Sequence, residues 1–85
     1  KSLIHLRRAV ELAADFPENR LNLAEALLLH HRDRAGAQEQ LRALEQDWES
    51  AKARYAGPEW AYAWSSWQTQ RKSIEHRLAD TARSR

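Results

Sequence analysis

Four histidines, twelve carboxylates and no cysteine are the raw material for chemistry in this 85-residue chain. His30 and His31 are adjacent, and adjacent residues on a helix point about 100° apart, so they cannot chelate together as an i, i+4 pair does. His5 and His76 would have to converge on them from elsewhere. Without a thiolate or an HExxH spacing, no metal site is expected. The histidine pair reads instead as a helix C-terminus, where imidazole suits exposed carbonyls and the helix dipole. Ser65, Ser66 and Ser73 have no adjacent base to activate them. Gly36 and Gly57 are isolated, so there is no phosphate-cradling loop. Glu45 and Glu49 lie one helical turn apart with Arg42 and Lys52 nearby, the pattern of solvent-face ion pairs, each adding a few tenths of a kcal/mol. The residue types predict no catalytic set and no cofactor site, and the chain is not expected to be an enzyme.

Tryptophan stands out more. Four occur, several times common usage, and Trp60, Trp64 and Trp67 fall on one helical stripe with Trp48 and Tyr62 elsewhere. Two uses are open. Each indole buries about 150–250 Å², which a small core needs. Trp, Tyr and Arg are also the residues that anchor protein interfaces. Three indoles on one stripe exceed what a single neighbouring helix can cover, so at least one is expected partly exposed at an interface.

The elements that position these residues are all helices. Only two Gly and two Pro occur, and no Val/Ile/Thr-rich alternation marks a strand. The length holds one small domain. The chain opens on Lys1 and contains no Met, as expected of a piece of a longer protein, and any leader would then be hidden, so localisation stays open. No apolar run approaches the roughly 20 residues of a membrane span. Net charge is +2. Both ends are basic (Lys1, Arg7, Arg8; Arg71, Lys72, Arg77, Arg83, Arg85) around an acidic middle. A nucleic-acid footprint needs a denser basic stripe with interleaved aromatics, so nucleic-acid binding is not the first expectation.

Leu21 to Leu29, LNLAEALLL, is apolar except for Asn22 and Glu25. Leu23 and Leu27 share one face; Leu21, Ala24 and Leu28 lie one face over. Apolar residues around most of the circumference demand neighbours on more than one side, which makes this the central helix. The expected helices cover about 2–14, 17–31, 34–56 and 58–80. The first, with Leu3, Leu6, Val10 and Ala13 as its stripe, stops before Pro17, because the residue preceding a proline is pushed out of helical space. The second opens at Pro17, with Asp15 and Glu18 spaced as a capping box. Asp33 is the expected N-cap of the third. Ala37, Leu41, Leu44, Trp48, Ala51 and Tyr55 then hold one face inward to Gly57, expected to be a left-handed C-cap, and Pro58 opens the fourth. So short a joint makes helices three and four antiparallel neighbours. The fourth is expected to fray after Leu78.

Asn22-Leu23-Ala24-Glu25-Ala26-Leu27, a short polar turn, then Ala37-x-x-x-Leu41 resembles a tetratricopeptide repeat, a helix–turn–helix unit of 34 residues. Ala24 matches the small residue at the helix crossing, and Leu23 and Leu27 the large packing positions. The first helix, with Ala9-Val10-Glu11-Leu12-Ala13 leading to Pro17, resembles the second half of a preceding repeat. The likeness covers about residues 4–45. The chain departs from the family at His30-His31-Arg32, where a glycine is usual, in the overlong third helix, and in the fourth, which carries no repeat signature and is expected to cap the array. The resemblance implies an all-α, antiparallel helix–turn–helix superhelix that binds protein or peptide without catalysis. It also implies that Glu18, Leu21, Asn22, Glu25, Leu28 and Leu29 lie on or near a partner-facing groove, unless helix four covers them. Trp60, Trp64 and Trp67 join them as candidate contacts. The alternatives are a nucleic-acid-associated domain using the basic C-terminal segment, and an accessory domain of an enzyme whose active site lies elsewhere. Apolar stripes at both ends further lead to the expectation of a homodimer through the first or the fourth helix.

Overall fold

The computed structural model of the chain describes residues 2–83, with side chains to Asp80. It contains α1 (Leu3–Leu12), α2 (Pro17–His30), α3 (Arg34–Arg54) and α4 (Ala61–Arg83), the last entered through a 3-10 turn at Pro58–Trp60. This is an all-α domain of four helices, each antiparallel to the one before, with principal extents of 42 × 26 × 21 Å.

Each boundary has a local cause. Ser2 caps α1, its hydroxyl accepting the His5 N–H. The helix ends at Leu12, two residues before the expected boundary at Ala14. The side-chain amide of Asn19 on α2 donates to the carbonyls of Ala9 and Ala13, at 3.1 and 3.3 Å, and takes up the freed α1 terminus. Phe16, forced out of helical space by Pro17, is the N-cap of α2 at φ −83, ψ 111. The expected capping box does not form. Phe16 offers no side-chain cap, and Asp15 pairs with Arg54 at 3.2 Å instead. Asp33 caps α3 as the sequence indicates, accepting the Gly36 N–H at 2.8 Å, a contact worth about 1 kcal/mol.

Two turns differ from expectation. Gly57 is not a left-handed cap: its φ is −66 and its ψ 158. It precedes Pro58, and that position is steered to extended backbone. Helix α3 has already ended at Arg54, with Tyr55 as its cap. The left-handed residue is Arg32, at φ 53, where the chain turns from α2 to α3 and the Asp33 N–H reaches back to the Leu27 carbonyl at 2.8 Å. The backbone of α4 stays helical to Arg83 and does not stop after Leu78.

The core is centred on α2. Leu21, Leu23, Ala24 and Leu27 are buried together with Leu6 of α1, Ala37 and Leu44 of α3, and Trp67, Ile74 and Leu78 of α4. Ala24 and Ala37 are both fully buried, as small residues are where helix backbones approach closely. The closest backbone approach of α4 is to α2 rather than to α3. Contacts between α4 and α3 run through long side chains: Trp48 with Trp64, Arg71 with Glu45, and the Arg34 guanidinium with the Leu78 carbonyl.

Candidate functional site

Three polar pairings tie α2 to α4. The Trp67 indole N–H donates to Glu18 at 3.3 Å. The Gln70 amide donates to Asn22 at 3.1 Å and to Glu25 at 3.0 Å. Residue numbers rise together along both helices, so α2 and α4 run parallel, side by side. Between them and α1, one strip of α2 stays open: Glu18, Asn22, Glu25 and Leu29.

The strip has a cleft on each flank. Toward α1, Leu6, Asn22, Glu25, Ala26, Leu29 and His30 line a space of about 350 Å³. Toward α4, Glu25, Tyr62, Ser65, Ser66, Thr69, Gln70 and Ser73 line a more polar one of about 500 Å³. The strip's charges are both carboxylates, Glu18 and Glu25, since the one arginine near this end of α2, Arg20, turns the other way toward Gln40 and Asp47 of α3. This arrangement presents hydrogen-bonding groups, negative charge and one large apolar side chain to solvent.

The candidate contact residues divide. Glu18, Asn22, Glu25 and Leu29 share the open strip. Leu21 has no exposed surface and Trp67 only 2%, so neither offers area to a partner. Leu28 packs against the core, as do Trp60 and Trp64. The indoles form one aromatic cluster in which Trp67 meets Phe16 at 5.2 Å, Trp64 at 4.9 Å and Trp60 at 6.1 Å, while Tyr55 meets Trp60 edge-on at 4.9 Å. The Trp64 N–H is satisfied by the Tyr55 carbonyl at 2.7 Å. Tyr62, one position off the stripe, is 86% exposed.

Gln70, Ser66 and Ser73 belong to this surface and were not singled out as contacts by sequence. Gln70 lies three residues after Trp67 at the edge of the buried stripe, and an uncharged residue at that edge is the signal that could have marked it. Among the described residues, no group of three or more His, Cys, Asp or Glu is placed to hold a metal ion, and no helix is long and apolar enough to cross a membrane. His5 faces the Ser2 hydroxyl and His76 pairs with Asp80. Of the basic C-terminal residues, Arg71 is engaged internally. It pairs with Glu75 at 3.1 Å and Glu45 at 3.8 Å and lies 4.8 Å from the Trp48 ring centre. Lys1 and Arg85 lie outside the described residues, and so does the side chain of Arg83.

No protein-family model, curated protein or solved structure matches this chain.

Proposed function

We propose that this domain is a protein–protein interaction scaffold of the tetratricopeptide-repeat type, with no catalytic role. The observation that carries the reading is the open α2 strip, Glu18, Asn22, Glu25 and Leu29, flanked by two clefts and backed by α4. Two further features support it. An antiparallel pair, α2 and α3, buries small residues on both members, and a third helix, α4, runs parallel to α2 as the first helix of a following repeat would. The ligand is a peptide segment with apolar and cationic side chains. Glu18 and Glu25 supply the opposite charge, Leu29 the apolar contact, and Asn22, Gln70, Ser66 and Ser73 the hydrogen bonds. Tyr62 adds a large, rigid, exposed surface of the kind that anchors interfaces.

Selection of random peptides on the immobilised domain tests this. The expected outcome is an enriched motif with Lys or Arg beside large apolar residues. Its amide chemical-shift footprint should fall on α2 and α4, and Tyr62→Asp should abolish its binding. A footprint on the α3 face, or no enrichment, would reject the reading.

A further inference from the structure

The outer face of α1 is the largest departure from an ordinary soluble surface. Ile4 is 78% exposed and Leu12 73%. Arg8 lies between them, so apolar, cationic and apolar side chains follow at four-residue spacing along one line. On α2, Leu29 is 40% exposed and Glu25 lies one turn before it. The two patterns are complementary when the helices run antiparallel: Ile4 then meets Leu29 and Arg8 meets Glu25, both pairs separated by about 6 Å along the axis.

The heights of these residues within one molecule already agree with that match. Asn19 reaches the Ala9 and Ala13 carbonyls, and Leu6 shares a cleft with Ala26 and Leu29. Arg8 therefore lies at the level of the Asn22–Glu25 turn, and Ile4 at the level of Leu29. A two-fold axis parallel to α1 and α2 preserves heights. It would lay α1 of one molecule over α2 of a second, and the reverse, with both contacts in register. We infer that the second copy of this chain is the partner of the α1–α2 face, forming a closed dimer in which Ile4 and Arg8 of each copy meet Leu29 and Glu25 of the other.

The competing pairings are poorer. Antiparallel packing of α1 on its own copy centres Arg8 on Arg8, a like-charge contact. The outward side of α4 carries Ser65, Ser66, Thr69 and Ser73, and Tyr62 is its one exposed large apolar side chain among the described residues, without a charge pattern that pairs it with a second copy. The intramolecular partner of Arg8 is Glu11, at 3.4 Å with both side chains about two-thirds exposed, and so exposed a pair holds Arg8 weakly. Two short helices on two give a footprint of roughly 20 by 20 Å, at the small end of specific interfaces, and the dimer dissociates on the order of micromolar. The contact covers Glu25 and Leu29, which also line the clefts beside the strip, so self-association and peptide binding compete for the α2 strip.

This inference rests on reading the α2 strip as an interaction surface, and it is tested separately from peptide binding. Sedimentation equilibrium from micromolar to several hundred micromolar should show the mass rising toward twice 9.9 kDa. Arg8→Glu or Glu25→Arg alone should weaken association at least about tenfold. Mixing the two variants in equal amounts should restore it as a one-to-one pair, because both reciprocal contacts then join opposite charges. Leu29→Lys should give the same loss with the Glu25–Gln70 hydrogen bond intact, and helical circular dichroism checks that each variant is folded. A wild-type monomer throughout, a dimer indifferent to these changes, or loss without rescue on mixing would overturn the dimer. Peptide binding by the Arg8→Glu variant and its loss with Tyr62→Asp would stand or fall independently.

Discussion

Helix α4 turns serine, threonine and glutamine outward with Tyr62 as its one exposed large apolar side chain among the described residues, whereas α1 leaves both Ile4 and Leu12 in water. Both lie at the edge of the domain, and both have neighbours on one side only. The difference lies in what each end can do without further cover. Trp60, Trp64, Trp67, Ile74 and Leu78 pack on the inner face of α4, and the rest of its described outward side is polar apart from Tyr62. α1 buries Leu6 and half-buries Leu3 and Val10, and still holds two large apolar residues that no other described residue covers. Burial of one face is therefore no guide to whether a helix needs further cover. The outward face decides it.

The sharpest way to break that contrast is to truncate on each side. Trp67→Ala should cost about 3–5 kcal/mol, because the indole is fully packed and the cavity lies between α2 and α4. That is comparable to the whole stability of a small domain, so urea melts should show a protein largely unfolded without denaturant. Leu12→Ala in dilute monomer should stay within about 0.5 kcal/mol of wild type. Equal costs at the two sites would erase the distinction between a sealed end and an open one.

Overpacking the centre comes next. Ala24→Leu should lower stability by about 1–3 kcal/mol, since α2 and α3 have no room for three more carbons at a fully buried alanine. An unchanged melting midpoint would mean that the α2–α3 pair is loose enough to adapt. A smaller effect, of opposite sign, is expected at the turn. Arg32 holds a left-handed backbone conformation that glycine adopts freely, so Arg32→Gly should stabilise by about 0.5–1 kcal/mol by chemical denaturation. The smallest is at Gly57, whose φ and ψ suit any residue. Gly57→Ala should fall within about 0.5 kcal/mol of wild type, because a Cβ there meets only the carboxylate end of the Glu59 side chain, which can swing away. A large loss in the Gly57→Ala thermal melt would mean that the α3–α4 joint is tighter than its backbone angles imply.

Much of this architecture was legible from residue spacing. The stripe from Ala37 to Tyr55 defined α3, and Leu21 to Leu29 defined the buried central helix. Asp33 and Pro17 fixed two starts. What spacing could not resolve were competitions between local rules. At Gly57 a glycine after a helix suggested a left-handed cap, but the proline that follows dictates an extended residue, and proline prevailed. At Asp15 a capping-box spacing lost to an ion pair with Arg54, a residue 39 positions away that no local pattern could reveal. The strip suffered the same limit. Leu21 and Leu29 are alike in sequence and both face neighbours, yet one is covered by α4 and the other is not. That depends on where Gln70 and Trp67 cross α2, which is a property of the assembled helices.

The aromatic cluster has a consequence for how the domain comes apart. In a simple repeat array each unit touches only its neighbours, and ends can peel away one helix at a time. Here Phe16 before α2, Trp48 and Tyr55 of the α3 arm, and Trp60, Trp64 and Trp67 share one contiguous set of ring contacts. Undocking α4 strips rings from α2 and α3 together, so amides of the last three helices should exchange with solvent at one common free energy. α1 carries no Phe, Tyr or Trp and is joined to the rest by Leu6, its half-buried neighbours and the Asn19 amide. Its amides should open at a lower free energy, giving the domain two cooperative blocks and a fixed order of unravelling that begins at the N-terminal helix.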